Sequence, residues 1–315
     1  MKAAVIDAFG PVSALEIREV PKPEISADEL LVEVHATSVN PIDWKIGEGM
    51  MGDRYGDGFP MILGLDASGV VVDTGTDVTE FQIGDAVFGR STNGTGKCYA
   101  EYVVLKPGTV ALKPEQISHA EAAAIPLAAL TALNGLKNFG ALAPGQRVLI
   151  VGGSGGVGTY AVQIAKHIGA EVTAVCSTGN VDLVRELGAD RVIDYTQQDP
   201  LETDAPYDLI YDTVGVLKYP AAREKLTDAG VYLTLVPVDG IDFMYPGQTE
   251  RKPRGGYFLI WTPTAADLVI LADWVRDGKL RSIIDSEYSL DAIREAHQRS
   301  RSERARGKIV VTLKP

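Results

Sequence analysis

The chain has 315 residues and a mass of 33.7 kDa, about twice the size of a typical single domain, so two domains are expected. Hydrophobic residues make up 45% of the sequence and charged residues 23%, values of globular proteins that argue against disordered, collagen-like and coiled-coil chains. With 42 acidic against 30 basic side chains the net charge is -12, which excludes nucleic acid as an expected partner because its phosphates require a cationic surface.

The sequence gives no sign of export or of a membrane-spanning segment. The N-terminal residues MKAAVIDAFG lack the long apolar stretch and the cleavage site of a secretory signal. The most apolar stretch, residues 122–136, contains Pro126 and is shorter than the roughly 20 residues that a membrane helix needs. Cys98 and Cys176 are far apart and form no CxxC pair, so neither a disulfide framework nor a cysteine-rich zinc lobe is expected. We therefore expect a cytoplasmic protein with no membrane partner.

The first 120 residues contain short apolar runs separated by Gly, Pro and Asp. These runs are rich in β-branched residues and occupy 30–34, 67–72, 86–88 and 99–105. Runs of this kind predict β-strands connected by turns.

From about residue 121 the sequence alternates between strands and helices. The predicted strands are 148–151, 171–175, 191–193, 209–211, 231–235 and 257–261, and the predicted helices are 157–168, 181–187 and 218–226. In the first of these helices Ala161, Ile164, Ala165 and Ile168 form one apolar stripe at helical spacing. Alternation of strand and helix predicts a parallel, doubly wound sheet.

The C-terminal part returns to the character of the first 120 residues. A helix is predicted over 265–277 and a closing strand over 308–313. The sequence therefore predicts an α/β protein in which residues 1–122 and 263–315 form one β-rich domain. Residues 123–262 form the doubly wound domain inserted into it.

A glycine-rich turn connects the first strand of the doubly wound domain to its first helix. Gly153, Gly155 and Gly158 fill a GxGxxG pattern in the segment RVLIVGGSGGVG. Such glycines allow a tight turn, close approach of the backbone to a pyrophosphate, and close packing of helix on strand. The pattern predicts a dinucleotide site formed by Gly153, Ser154, Gly155, Gly156, Val157 and Gly158. A purely structural turn is the alternative.

The choice between NADPH and NADH depends on the end of the second strand, where NAD enzymes usually place a carboxylate on the ribose. The sequence there is Cys-Ser-Thr-Gly-Asn, in which Ser177, Thr178 and Asn180 are polar and no residue is acidic. Absence of a carboxylate in this loop favours NADPH over NADH. The loop also lacks a cation, and the nearest candidates are Arg185 and Arg191.

Several segments together resemble one family. They are SVNPIDWKIGEG (38–49), ILGLDASGVV (62–71), IGDAVFG (83–89), AAIPLAALTAL (123–133), VLIVGGSGGVG (148–158), ELGADRVIDY (186–195), YDTVG (211–215) and GKIVV (307–311). In order and spacing they resemble the zinc-independent quinone oxidoreductase branch of the medium-chain dehydrogenase/reductases. The resemblance implies a GroES-like β-rich catalytic domain, a Rossmann cofactor domain, and NADPH-dependent reduction of a small-molecule quinone or enone.

The resemblance also implies that no zinc is bound. In the alcohol dehydrogenase branch a cysteine stands at the position of Asn40, a His-Glu pair at Leu65-Asp66, and another cysteine near Leu127. The chain contains only four histidines, at scattered positions. Since no Lewis acid is expected, the zinc route of alcohol oxidation is unsupported, and hydride delivery to an already electrophilic carbon is favoured.

Candidate catalytic residues follow from the NPxDxK segment. By resemblance to plant enone reductases, Asn40 and Lys45 would face the nicotinamide and the substrate, with Lys45 stabilising the enolate. A turn before Pro41 and a solvated helix face are the alternative explanations for these two residues. Met51 stands where the family often has tyrosine, so Tyr55 is the candidate hydroxyl donor.

The resemblance assigns further residues to the cofactor. Near the nicotinamide it assigns Thr131, Phe258 and Leu259, and near the 2′-phosphate it assigns Tyr195. Beneath the dinucleotide it assigns Val214 and Val236, and in the closing strand Lys308. Relatives are commonly homodimers joined through edge strands of the cofactor domain, which predicts a homodimer that uses the strands near 231–235 and 257–261.

Two classes of function are consistent with these observations. The first is an NADPH-dependent quinone or enone oxidoreductase. The second is an NADPH-binding redox sensor or structural protein without turnover, because a fold alone does not guarantee chemistry. An acyl-thioester reductase ranks below both, since no concentrated Lys/Arg run is present for a long phosphorylated substrate.

Overall fold

The computed structural model describes residues 1–51, 58–92, 94–244, 252–259, 262 and 264–314. The chain divides into two compact units. The first unit contains Met1–Leu127 and Pro263–Pro315, and the second contains Ala128–Thr262. The sequence-based domains break after residues 122 and 262. No helix within the described ranges is long and apolar enough to cross a bilayer.

Short strands dominate the N-terminal segment of the first unit. In chain order its elements are β1 (Lys2–Ile6), β2 (Glu16–Glu19), β3 (Leu30–Val39), α1 (Pro41–Gly47), β4 (Met61–Ile62), β5 (Asp66–Thr74), β6 (Ala86–Arg90), β7 (Tyr102–Leu105), β8 (Val110–Leu112) and α2 (His119–Ala123). The helix α3 (Pro126–Leu133) follows and continues as a π-helical segment over Asn134–Phe139.

Strands and helices alternate in the second unit, as predicted. Its elements are β9 (Arg147–Val151), α4 (Gly156–Ile168), β10 (Glu171–Cys176), α5 (Val181–Glu186), β11 (Arg191–Asp194), β12 (Tyr207–Asp212), α6 (Tyr219–Arg223), β13 (Leu226–Thr234), β14 (Asp242–Met244) and β15 (Gly255–Leu259). The first unit then resumes with α7 (Ala265–Arg276), β16 (Ile284–Ser289), α8 (Ile293–Arg301) and β17 (Lys308–Thr312).

The main sheet of the first unit is built around β3. Its strand order is β16-β17-β3-β5-β6-β8, β7 also pairs with β3, and β2-β1-β4 form a smaller sheet. Alternate residues of β3, Leu30, Val32 and Val34, are buried in one apolar cluster, as expected for a strand with period-2 alternation. Because β17 pairs with β3, the C-terminal strand lies beside residues 36–39 at the end of β3.

The second unit contains the predicted doubly wound sheet, which is confirmed. Its strand order is β11-β10-β9-β12-β13-β15-β14, and every pairing is parallel. The order reverses between β9 and β12, and in such sheets ligands bind at this point, beyond the carboxyl ends of the strands. The interior of β9 is fully buried, as expected for a strand covered on both faces.

The sequence interpretation was wrong at the end of this sheet. The predicted helix 218–226 is only the short α6, because Leu226 already pairs with Tyr207 as the start of β13. The segment between the predicted strands 231–235 and 257–261 contains β14, a strand that was not predicted and that pairs with β15. The strands β13 and β15, predicted to join two copies of the chain as edge strands, each have two neighbours, and β14 is the edge strand at this end of the described sheet.

Candidate functional site

The glycine turn after β9 is closed by hydrogen bonds to the neighbouring strand. The N–H groups of Gly152 and Gly153 both donate to the carbonyl of Val175, over 3.1 and 2.8 Å. A Cβ atom on Gly158 would lie 2.0 Å from the carbonyl oxygen of Gly152, so only glycine lets α4 pack this closely on the turn. Gly155 is the N-cap of α4 and has an ordinary φ of -81°. The turn therefore presents a helix N-terminus without a side chain in front of it.

The turn after β12 lies next to the glycine turn and is organised by Asp212. The buried carboxylate of Asp212 accepts hydrogen bonds from the N–H groups of Val214, Gly215 and Leu217 over 3.1, 2.7 and 2.8 Å. A Cβ atom on Gly152 would lie 2.4 Å from Val214, and one on Gly215 would lie 2.5 Å from Val236. The structure thus brings Val214 and Val236 together with the glycine turn.

The other residues assigned to the nicotinamide side occupy different parts of the second unit. Thr131 is buried in α3, and its carbonyl accepts a hydrogen bond from Tyr211 over 3.0 Å. Phe258 and Leu259 are the last residues of β15, with Phe258 opposite Thr234 of β13. Both therefore lie at the carboxyl edge of the sheet, where the glycine turn also lies.

The loop after β10 holds the residues predicted to contact the 2′-phosphate. Asn180 Nδ2 donates to Ser154 Oγ over 3.1 Å and to Ser177 Oγ over 3.2 Å, so the loop is bonded to the glycine turn. Tyr195 is half-exposed, and its N–H donates to the carbonyl of Cys176. The structure therefore brings Ser154, Ser177 and Asn180 together, with Tyr195 at the adjacent strand end.

The loop after β10 contacts a carboxylate that the sequence argument for NADPH leaves out. The sequence of the loop itself has no acidic residue, but Asp194 at the end of β11 contacts it through space. The hydroxyl of Thr178 donates to Asp194 Oδ2 over 2.6 Å. Since parallel pairing places Cys176 opposite Asp194, the ends of β10 and β11 meet at one edge of the sheet. Asp194 therefore brings a carboxylate to a loop that has none in its own sequence.

In the first unit Asn40, Asp66 and Lys308 form one buried polar cluster. Asn40 Nδ2 donates to Asp66 Oδ2 over 2.9 Å, and Lys308 Nζ donates to Asn40 Oδ1 over 2.5 Å. The ammonium of Lys308 is also 3.7 Å from Asp66 Oδ2. Ser38 Oγ and the N–H of Leu127 complete the set of donors around the Asp66 carboxylate. Lys308 is 3% exposed, so its side chain does not end in solvent.

The start of α1 is held by a second buried carboxylate. Asp43 Oδ2 accepts hydrogen bonds from the N–H of Asn40 and from the hydroxyl of Tyr99, each over 2.8 Å. Asp43 Oδ1 is enclosed and has no hydrogen-bond partner among the described residues. Burial raises the pKa of Asp43 to about 7, and the Asp66 carboxylate also raises it, whereas the two hydrogen bonds and Lys308 oppose the shift. Asp43 therefore caps α1 and orients its first turn.

Lys45 lies in the last turn of α1, and its side chain is half-buried. Its ammonium is 5.5 Å from the centre of the Trp44 ring. The Trp44 Nε1 donates to Ser300 Oγ over 3.3 Å, which fastens α1 to α8. The side chain of Asn40 is 2% exposed, and both atoms of its amide are bonded within the cluster. The third catalytic candidate, Tyr55, lies outside the described residues.

The positions that hold zinc ligands in the alcohol dehydrogenase branch converge on Asp66. Asn40 and the N–H of Leu127 both bond to the Asp66 carboxylate, and Leu65 precedes it in the chain. Across the described part of the chain, no group of three or more His, Cys, Asp or Glu side chains is arranged to hold a metal ion. The cation within hydrogen-bonding distance of this cluster is instead the ammonium of Lys308.

Sequence reasoning missed three buried or half-buried carboxylates. In the sequence, Asp66 stands out only as a replaced ligand position. Asp194 and Asp212 stand out only as members of the segments ELGADRVIDY and YDTVG. Asp212 is the last residue of the buried strand β12. A carboxylate at the end of a strand indicates a turn in which it accepts hydrogen bonds from the following N–H groups. The partners of Asp66, and the Thr178 partner of Asp194, are distant in sequence, so no local pattern reveals them.

Two family models match the chain. One described as "Alcohol dehydrogenase GroES-like domain" matches residues 26–115, and one described as "Zinc-binding dehydrogenase" matches residues 187–311. The first match and the topology of the two units confirm the predicted fold class, a GroES-like domain with a Rossmann domain.

The chain is similar to quinone oxidoreductases over nearly its whole length. The "Quinone-oxidoreductase homolog, chloroplastic" of Spinacia oleracea is 35% identical over 313 residues, which cover 96% of this chain and 95% of the relative. The "2-methylene-furan-3-one reductase" of Solanum lycopersicum is 32% identical and covers 99% of this chain and 79% of the relative. The solved structure of the quinone oxidoreductase from Coxiella burnetii is 33% identical with a TM-score of 0.89, covering 100% and 99% of the two chains. The chain therefore belongs to the quinone oxidoreductase family of the medium-chain dehydrogenases/reductases.

Proposed function

We propose that the chain is an NADPH-dependent oxidoreductase that transfers hydride to a small-molecule quinone or α,β-unsaturated carbonyl compound without zinc. The observation that carries the proposal is the open glycine turn at the point where the strand order of the second unit reverses. The names of the Spinacia and Solanum relatives support the two substrate classes. A homodimer and a cytoplasmic location belong to the same proposal, although the Spinacia relative is described as chloroplastic.

The residues of the glycine turn fit a dinucleotide. A pyrophosphate at the N-terminus of α4 meets N–H groups and a positive partial charge, and Gly155 leaves the approach open. The nearest atom to a Cβ built on Gly155 is 3.4 Å away, whereas Gly153 and Gly158 are enclosed by protein atoms. When bound, a nicotinamide dinucleotide supplies the hydride, and the protein supplies orientation and electrostatics.

Lys45 is the proposed electrostatic donor. Hydride transfer to a quinone or enone leaves negative charge on the carbonyl oxygen, and an ammonium close to that oxygen stabilises it. Asn40 acts as a positioning residue in this proposal, because its amide is bonded to Asp66 and Lys308 and its N–H to Asp43. It thereby fixes the start of the helix that carries Lys45. The role of Tyr55 stays a prediction.

Zinc independence is supported by what occupies the cluster around Asp66. The ammonium of Lys308 already provides the positive charge there, and Asn40 Oδ1 is its acceptor. A divalent cation at the same place would be repelled by the ammonium and would find one carboxylate in place of two or three thiolate and imidazole ligands.

The test is a comparison of Lys45→Met with the charge-conserving Lys45→Arg. NADPH affinity is measured by intrinsic fluorescence, and oxidation of NADPH at 340 nm is followed with one quinone and one enone. We expect the wild type to turn over the quinone, the enone or both. Lys45→Met should lose at least about tenfold in kcat while its NADPH affinity stays unchanged, which is a typical effect of removing one electrostatic donor. Lys45→Arg should retain more activity than Lys45→Met.

Other outcomes decide against parts of the proposal. Equal activity of Lys45→Met and wild type would remove Lys45 from the mechanism. Tight NADPH binding without turnover of either substrate would favour the redox sensor or structural protein. Absence of NADPH binding would refute the interpretation of the glycine turn.

A further inference from the structure

The loop after β10 and the end of β11 together form the place where a Rossmann domain distinguishes NADPH from NADH. Three side chains of this loop, Ser177, Thr178 and Asn180, were expected to donate hydrogen bonds to a 2′-phosphate. The structure shows how each of them is already used.

The hydroxyl of Thr178 is committed to a carboxylate. It donates to Asp194 Oδ2 over 2.6 Å, and the hydroxyl and N–H of Thr196 donate to Asp194 Oδ1 over 2.7 and 2.9 Å. The two hydroxyl oxygens are also 3.0 Å apart, and each hydroxyl has a single hydrogen, so both hydrogens are used among Thr178, Thr196 and Asp194. Thr178 therefore presents only lone pairs to a ligand in this loop.

Asn180 is also used within the protein. Its amide donates to Ser154 Oγ and Ser177 Oγ, and an amide has only two N–H groups. Of the three expected donors, only the hydroxyl hydrogen of Ser177 is left for a phosphate. Arg185, one of the two nearest arginines, forms an ion pair with Asp182.

The charge of Asp194 is maintained by these contacts. The hydrogen bonds from Thr178 and Thr196 lower the pKa of Asp194, so the group is ionised at neutral pH. Within the described ranges no Lys or Arg forms an ion pair with it. A 2′-phosphate at this loop would therefore meet an uncompensated carboxylate, whereas a ribose hydroxyl could donate to an acceptor.

We propose that Asp194 is a specificity-determining residue that restrains the preference for NADPH over NADH. The inference rests on the proposed function, since it concerns the dinucleotide site of the second unit. It predicts that the wild-type dissociation constants for NADPH and NADH differ by less than about tenfold. The reason is that repulsion between the Asp194 carboxylate and the 2′-phosphate, both exposed to solvent, opposes the favourable contacts of the phosphate.

The test is direct binding by Asp194→Asn, measured by titration calorimetry without any substrate. The ligands are NADPH and NADH, together with the fragments 2′,5′-ADP and 5′-AMP, which differ only in the 2′-phosphate. Asp204→Asn is the matched control, because it removes the same charge from an exposed residue before β12, at the amino ends of the strands. Asp194→Ser is a second variant in case the first does not fold.

We expect Asp194→Asn to bind NADPH and 2′,5′-ADP about three- to tenfold more tightly than the wild type, and to bind NADH and 5′-AMP with an affinity within twofold of the wild type. Most of this gain should be lost in 0.5 M NaCl, where the Debye length is only a few ångström. Asp204→Asn should change nothing. Unchanged selectivity in both Asp194 variants, or a gain that persists in high salt, would overturn the inference while leaving the proposed function standing. Failure of the wild type to bind any of the four ligands would overturn both.

Discussion

Replacing Asp43 by asparagine should remove a large pH dependence from the stability of the first unit. Asp43 is fully buried, one of its oxygens has no partner among the described residues, and burial raises its pKa to about 7. In the unfolded chain the same carboxyl titrates near its ordinary value of 3.8. Between these two pH values the folded protein binds one proton more than the unfolded protein.

The sign and size of the effect follow from this difference. Because the folded state binds the extra proton, its free energy of unfolding decreases as pH rises from about 4 to about 7. At about 1.36 kcal/mol per pKa unit, the interval corresponds to an upper value of about 4 kcal/mol. Asp43→Asn is neutral at every pH and resembles the protonated carboxyl. The variant should therefore match the wild type at pH 4.5 and exceed its stability by about 2–4 kcal/mol at pH 8.

The assay is urea unfolding at both pH values, followed by tryptophan fluorescence, to which two of the three tryptophans, Trp44 and Trp274, contribute from the first unit. Asp77→Asn, which removes an exposed carboxylate from the same unit, is the control and should show no such difference. A stability difference between wild type and Asp43→Asn that stays the same at pH 4.5 and pH 8 would refute the reasoning.

Two further substitutions test the buried cluster around Asp66 and the open glycine turn. Lys308→Met should lower the free energy of unfolding by about 3–5 kcal/mol, because it leaves the buried Asp66 carboxylate without its cation. In urea unfolding, adding Asp66→Asn should recover part of this loss. A double variant no more stable than Lys308→Met would contradict this. Gly155→Val should weaken NADPH binding at least about tenfold, measured by fluorescence titration, because the side chain fills the approach to α4 while the fold stays intact. Gly108→Val is the control and should leave NADPH binding unchanged, since a Cβ atom there would also have no close contact.

The second unit was the more predictable part of the chain. Its strands are buried runs next to helices with an apolar stripe, and the glycine turn has a local signature that determines where α4 begins. The prediction failed at β14, a three-residue strand whose sequence Asp-Phe-Met has no alternation to indicate pairing. Short strands of this kind exist only because a neighbour, here β15, offers free backbone groups.

The candidate site was predicted less well because its contacts are long-range. The NPxDxK segment indicated Asn40 and Lys45, and both lie at α1 as expected. The bonds from Asn40 to Asp66 and Lys308 span 26 and 268 residues of sequence, and they depend on how β3 pairs with β5 and β17. The same applies to Asp194, which reaches Thr178 only because β10 and β11 pair in a particular register.

The division of the first unit into two separate segments of sequence has a consequence for synthesis on the ribosome. The second unit is continuous, so every strand of its sheet has been made once residue 262 has emerged. On the edge of β3 away from β5, residues 30–33 pair with β7, but residues 36–39 have no partner until β17 is translated. Until then the Asp66 carboxylate also lacks Lys308, and burying it would leave an unpaired charge. The second unit is thus expected to fold while the first unit, whose two segments flank it in sequence, still lacks β17.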